Sequence, residues 1–199
     1  MQDTLSKEII ENRKVNYPIH PLIHNRWSPR SMTGEELSDE ELFPLFEAAR
    51  FAPSSYNAQP WRFLYAKRNT PAWQKFFDLM IDFNKSWTKN AAALVVIVSR
   101  NNFEHNDKPA PTHSFDAGAA WMSLALEGTN RGLAVHGMQG FDYELAKKTL
   151  EVPDGYTVEA MAAIGKRAPK ENLPKEMQEK EFPFDRKPLK DILMEGHFR

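Results

Sequence analysis

Between Asn90 and Ser99 the chain runs Ala91-Ala92-Ala93-Leu94-Val95-Val96-Ile97-Val98 without one polar side chain. Spanning a bilayer takes about 20 apolar residues. This run is therefore too short for a membrane and reads as a buried strand over Ala92–Val98. The rest of the chain has to cover it.

The flanking segments alternate between helical and extended patterns. Residues 4–14 read as a short polar helix, broken at Pro18 and Pro21. Ser38-Asp39-Glu40-Glu41 has capping-box spacing and opens a helix with Leu42, Phe46 and Ala49 on one face; Pro44 inside it is awkward, and Pro53 ends it. Trp61–Lys67 reads as a strand. Trp73–Phe83 reads as one helix, its aromatic stripe of Trp73, Phe76 and Phe77 directed into the core. Asn101–Thr112 is a polar loop. Asp116–Arg131 is a long helix rich in Ala and Gly, closed by Gly132, and small residues of this kind suit a core or a dimer seam. Leu133–Val135 is a short strand, Gly137–Gly140 a loop, Asp142 the cap of a helix through Leu150, and Val158–Ile164 the last strand. Lys166–Asp185 reads as an extended arm and Lys187–Met194 as a short terminal helix. The elements lack a βαβ rhythm, so the fold class is α+β rather than a doubly wound parallel sheet.

A chain of 199 residues fits one domain, with residues 1–20 as an N-terminal segment and 166–199 as a C-terminal arm. The net charge of −1 gives no field that favours nucleic acid or an anionic membrane. With no cysteine, disulfides, thiolate metal sites and cysteine nucleophiles are excluded. Lys7, Glu8, Glu11, Arg13 and Lys14 leave no room for the apolar stretch of a secretory signal, so a cytoplasmic location is expected.

The sequence has neither G-x-G-x-x-G, nor G-x-x-x-x-G-K-[ST], nor G-x-S-x-G. His20 and His24 lack acidic helpers, and no metal site is assigned to them. With side-chain catalysis poorly supported, chemistry carried by a bound cofactor is the alternative. Two segments could hold one. In Arg26-Trp27-Ser28-Pro29-Arg30, an extended backbone puts Arg26, Ser28 and Arg30 on one side, a set able to grip phosphate; a solvated basic loop is the other reading. In Ala52-Pro53-Ser54-Ser55-Tyr56-Asn57-Ala58-Gln59-Pro60, two prolines frame several hydrogen-bonding side chains, in a ligand loop or simply a stable turn.

These segments, with four others in register, resemble the nitroreductase-like flavoproteins. Arg26 to Arg30 is similar to that family's R-x-S-x-R, and Glu47 to Trp61 to its E-A-A-x-x-A-P-S-S-x-N-x-Q-P-W. Asn84-Lys85-Ser86-Trp87, Asp116-Ala117-Gly118-Ala119-Ala120, Gly132 to Phe141 and Arg186-Lys187-Pro188-Leu189 resemble further family segments in the same order. The resemblance implies a central mixed or antiparallel sheet flanked by helices, in a homodimer that exchanges its C-terminal arm. It implies FMN at the dimer interface. Arg26, Ser28, Arg30 and Arg186 would hold phosphate and ribityl chain, and Pro53, Ser54, Ser55 and Asn57 would come from the second subunit. Asn84 would contact the ring or ribityl chain, and Gly137, Met138, Gln139 and Gly140 would line the ring edge. Trp27, Gln59 and His136 are counted with these cofactor residues. The implied reaction is ping-pong: NADH or NADPH reduces FMN, which reduces a small electron-poor acceptor such as a nitroaromatic or a quinone. Nucleic acid and membrane are not expected partners. Dehalogenation, azoline oxidation, flavin breakdown, or a non-enzymatic FMN sensor or store are alternatives on the same scaffold. Some positions depart from the pattern: Asn25 stands where many members have Arg, Gly137 where Pro is usual, Gln139 where a small or acidic residue is usual, and Phe184-Asp185 where many carry a further basic residue. A looser phosphate grip is the expected consequence.

Overall fold

The computed structural model describes residues 4–198. Among them, four antiparallel strands, β1 (Trp61–Lys67), β2 (Ala93–Arg100), β3 (Leu133–Met138) and β4 (Tyr156–Lys166), form one sheet in the order β1-β2-β4-β3. The apolar run is the interior strand β2, covered on both faces. Leu94, Val96 and Val98 enter one core cluster with Phe76, Trp87 and Met161, while Ala93, Val95 and Ile97 enter the other with Leu42, Leu45 and Leu124. A strand alternates its side chains, so only a continuously apolar sequence satisfies both faces.

Among the described residues, eight α-helices surround the sheet: α1 (Lys7–Asn12), α2 (Pro21–Asn25), α3 (Asp39–Arg50), α4 (Trp73–Asp78), α5 (Asp82–Thr88), α6 (His113–Asn130), α7 (Tyr143–Thr149) and α8 (Lys175–Gln178). The capping box forms as expected: Ser38 accepts from the Glu41 amide, Glu41 accepts from the Ser38 amide, and Pro44 is accommodated within α3. Pro21 does not merely break the chain. It occupies the first turn of α2, where its missing N–H costs nothing, and His20 Nδ1 caps the Leu22 amide.

Four expectations need correction. Lys166–Asp185 is not simply an extended arm: it holds a 3-10 turn, Lys170–Asn172, and α8, and Leu173 and Met177 pack into the core. The helix expected over Trp73–Phe83 is two helices, because residues 79–81 pair with 140–142 instead: Ile81 N donates to Gly140 O (3.1 Å) and Asp142 N to Leu79 O (2.8 Å). Phe76 is buried as expected, but Ile81 and Phe83 are exposed. Gly137 and Met138 are not loop residues; they extend β3, opposite Ala162 and Met161 of β4. The terminal helix over Lys187–Met194 shrinks to a 3-10 turn, Leu189–Asp191, with no side-chain cap. So short a segment does not repay helix nucleation.

Two details shape the site. β4 carries a bulge: Ile97 pairs with Ala160 and Val98 with Val158, leaving Glu159 as an extra residue. Gly128 of α6 lies so close to β3 that a Cβ there would stand 2.3 Å from Val135 Cγ2. No helix among the described residues is long and apolar enough to cross a membrane.

Candidate functional site

Arg26 follows α2 directly, and the extended backbone after it turns Arg26 and Ser28 towards β3. Arg26 Nη1 donates to Ser28 Oγ (3.4 Å). Both side chains line a cleft of about 370 Å³ whose other walls are Ile97, Trp121, Ala160, Met161 and the segment Gly137–Gln139. Arg26 also lines a neighbouring groove of about 590 Å³, shared with Arg13 and Arg186. The Arg26 guanidinium is held below its ordinary pKa, first by burial and then by Arg186. Arg13 is pushed down to about 10 by burial, Arg186 and Arg26, opposed by Asp185. Arg13, Arg26 and Arg186 thus bring three guanidiniums to one groove, a grouping that suits an anion.

The other sequence candidates fall into three groups. Arg30 faces away from the cleft and towards Glu181, a buried carboxylate that accepts from the amides of Arg30 (2.7 Å) and Ser31 (2.9 Å) and so fixes the turn after Ser28. Trp27 points to the opposite side, under the Arg167 guanidinium at 4.9 Å. Pro53, Ser54, Ser55, Asn57 and Gln59 form a separate, largely exposed loop at the N-terminal end of α6. There the Ser55 amide donates to Asp116 Oδ2 (3.1 Å), the Gln59 amide to Ser54 Oγ (3.0 Å) and Gln59 Nε2 to Asn57 O (2.9 Å). Tyr56, Asn57 and Gln59 all hold positive φ, so the loop is locked in a shape that an unrestrained chain would avoid. None of these loop residues lines the cleft of its own chain.

Asn84 is buried and already engaged. Its Nδ2 donates to Gly140 O (2.9 Å) and its Oδ1 accepts from Trp87 Nε1 (3.3 Å). It pins the end of the Gly137–Gly140 segment. A Cβ on Gly140 would stand 2.6 Å from Asn84 Nδ2, and one on Gly137 would stand 2.9 Å from the Trp121 ring. Gly137 is therefore coupled to Trp121 as the cleft wall. Residues missed in the sequence are Ile97, Trp121, Ala160 and Met161. They are ordinary core types, and only the strand register and the helix crossing turn them into a cleft. At the bulge beside Ala160, Glu159 Oε1 accepts from Ser99 Oγ and Ser114 Oγ, and His113 Nδ1 lies 3.4 Å away.

The His136 ring lies against Trp87 at a tilt of 51°, with ring centroids 4.7 Å apart, and its Nδ1 donates to Pro29 O (3.3 Å). Burial, and then the charges of Arg30 and Arg26, lower its pKa to about 4. A proton on this ring is worth less in the fold than in the unfolded chain, whose histidine titrates near 6.5. Stability contributed by neutral His136 is therefore intact above about pH 6.5 and is lost as pH falls towards 4. Between pH 7 and 5 the wild-type unfolding free energy is expected to drop about 2 kcal/mol more than that of His136→Gln. Urea titrations of both proteins at the two pH values check this; parallel losses would exclude it.

The sequence model of the nitroreductase family matches residues 23–166. Among solved structures, the chain is similar to one titled an oxidoreductase containing FMN, with 42% identity, a TM-score of 0.90, and coverage of 94% of this chain and 96% of that one. It shares its fold with a nitroreductase of Desulfovibrio desulfuricans solved in complex with FMN, at 23% identity and a TM-score of 0.70, covering 93% of this chain and 100% of that one. A Streptomyces coelicolor protein named as an NADH dehydrogenase/NAD(P)H nitroreductase is 26% identical over 159 residues, 70% of this chain and 80% of its own. The match spans β1 to β4 and all the site segments except the arm that carries Arg186. The chain belongs to the nitroreductase family.

Proposed function

We propose that the chain is an FMN-dependent oxidoreductase that passes electrons from NADH or NADPH to a small electron-poor organic acceptor, and that it does so as a homodimer. The observation that carries this reading is the position of Arg26, which lines an apolar cleft together with Ser28 and also lines the adjoining groove together with Arg186. A flavin mononucleotide has that polarity, with a phosphate at one end and a flat ring at the other. The two family structures with FMN support the same cofactor, and the named nicotinamide reductase supports the donor.

When bound, FMN supplies the two-electron chemistry, taking a hydride from the nicotinamide and giving it up to the acceptor. The chain supplies placement. Arg26, Ser28 and Arg186 hold the phosphate, and Arg30 and Trp27 brace this segment from behind. Backbone groups of Gly137–Gly140 face the ring edge, kept in place by Asn84. Ile97, Ala160 and Trp121 exclude water from one ring face. Neutral His136 adds no further positive charge to the arginines beside it.

Ser54, Ser55 and Asn57, with Pro53 and Gln59, complete the site from a second subunit. The apolar surface around them supports such a partner: Phe51 is 76% exposed, Tyr56 85% and Phe115 79%. The arm segment through Arg186 folds back on its own chain, so any exchange between subunits involves residues C-terminal to Arg186, where Ile192 and Leu193 are exposed. Stopped-flow absorbance under nitrogen tests the activity. Flavin bound to the protein is expected to bleach on mixing with NADH or NADPH and to recolour on adding a quinone or a nitroaromatic. Flavin that stays oxidised with both nicotinamides would rule the reductase out.

A further inference from the structure

Asn25, Phe184 and Asp185 stand where many family members carry basic residues, and all three touch the N-terminal segment. Asn25 Oδ1 accepts from the Ser6 amide (3.0 Å) and its Nδ2 donates to Thr4 O (2.9 Å). The Lys14 amide donates to Asp185 Oδ1 (3.4 Å), and Arg13 Nε donates to Phe184 O (3.0 Å). The segment is firmly seated. Ile9 of α1 is fully buried, and Glu8 pairs with Arg167. It lies outside the family match, which begins at residue 23.

Arg13 is only 9% exposed. Besides Phe184 O, its guanidinium reaches His24 O (3.0 Å) and Arg26 O (2.8 Å) through Nη1. One side chain thus ties the strand of chain bearing Arg26 to the arm bearing Arg186, and it lines the same groove as both. An arginine needed only to tie carbonyls gains nothing from two more guanidiniums beside it. Their mutual repulsion is offset when a dianion sits among them.

We propose that Arg13 belongs to the phosphate site: the N-terminal segment delivers a guanidinium to the phosphomonoester end of the flavin cofactor, in place of the basic residues missing at Asn25 and Phe184-Asp185. The ligand class is a flavin carrying a terminal phosphate, as opposed to the neutral flavin nucleoside. This rests on the FMN reading above.

The test titrates the full chain, and its Arg13→Met and Arg13→Lys variants, with FMN and with riboflavin, which has the same ring and ribityl chain but no phosphate. Flavin fluorescence gives affinity, and ligand-induced thermal shift gives a second readout. Arg13→Met is expected to bind FMN about 10- to 100-fold more weakly, with riboflavin affinity within about twofold of wild type. Arg13→Lys keeps the charge and loses the planar fork, so a loss of about three- to tenfold, again confined to FMN, is expected. If Arg13→Met does not fold, Arg13→Lys decides alone. Equal losses for both ligands, or none for either, overturn the proposal; equal losses would make Arg13 a purely architectural clamp. A wild-type protein that binds neither ligand defeats the FMN reading itself, whereas wild-type FMN binding left intact in the variants defeats only the role of Arg13.

Discussion

Arg26→Met is expected to purify without flavin and to bind FMN at least about 100-fold more weakly than wild type, while its flavin-free form is no less stable. Both halves follow from one placement. Arg26 lines the cleft and the adjoining groove, beside Ser28 on one side and within the field of Arg186 on the other. A flavin phosphate carries nearly two negative charges, and each charge-assisted hydrogen bond to it is worth about 1.5–3 kcal/mol. Loss of two such bonds gives the predicted weakening. In the absence of flavin, burial and a like charge already oppose the charged form of Arg26, so an unbranched apolar side chain removes that opposition. The contact of Arg13 with Arg26 uses the backbone carbonyl and survives the substitution. Fluorescence titration and thermal melts with and without FMN check both halves. An Arg26→Met protein that holds FMN as wild type does would remove the phosphate site from this end of the cleft.

Gly128→Val is expected to cost about 3 kcal/mol or more of folding stability, a large part of the roughly 5–15 kcal/mol that a domain of this kind has. A Cβ on Gly128 would lie 2.3 Å from Val135 Cγ2 and 3.3 Å from Leu45 Cδ2. Here α6, β3 and α3 meet with no slack. Val135 is 3% exposed and stiff about χ1, so it cannot swing aside. Gly128→Ala would gain up to about 1 kcal/mol of helix propensity, which does not cover the overlap, and valine forfeits that gain. Urea midpoints and soluble yield report the loss. Gly118, whose added Cβ would meet nothing within 4 Å in this chain, is the control. An unchanged midpoint for Gly128→Val would show that α6 can lift off the sheet.

Much of the scaffold was legible because it rests on local rules. The capping box at Ser38, the apolar strand at Ala92–Val98 and the Asp142 cap depend on residues a few positions apart. Apart from the terminal helix, which was lost to the local cost of nucleation, the failures are long-range. The break between α4 and α5 arises because residues 79–81 pair with 140–142, and no periodicity within 73–83 signals a partner so far along the chain. The same distance hid the strand character of Gly137 and Met138, whose partners are on β4. At the site, alternation correctly put Arg26 and Ser28 on one side but also claimed Arg30, which Glu181, 151 residues away, draws elsewhere. Arg13 passed as an ordinary charge on a polar helix; its contact with Phe184 closes across 171 residues.

The bulge at Glu159 has a consequence for how such a cleft can diverge. One inserted residue reverses the parity of a strand, so Ala160 and Thr157, rather than Ala160 and Val158, share the face of Ile97 and Ser99. The part of β4 that walls the cleft, from Ala160, and the part before the bulge are thus phased independently. Changes of residue, or even of length, around Glu159 and its hydroxyl and imidazole neighbours can be absorbed at the bulge. The ladder beneath, from Ala160 onward, keeps its register throughout.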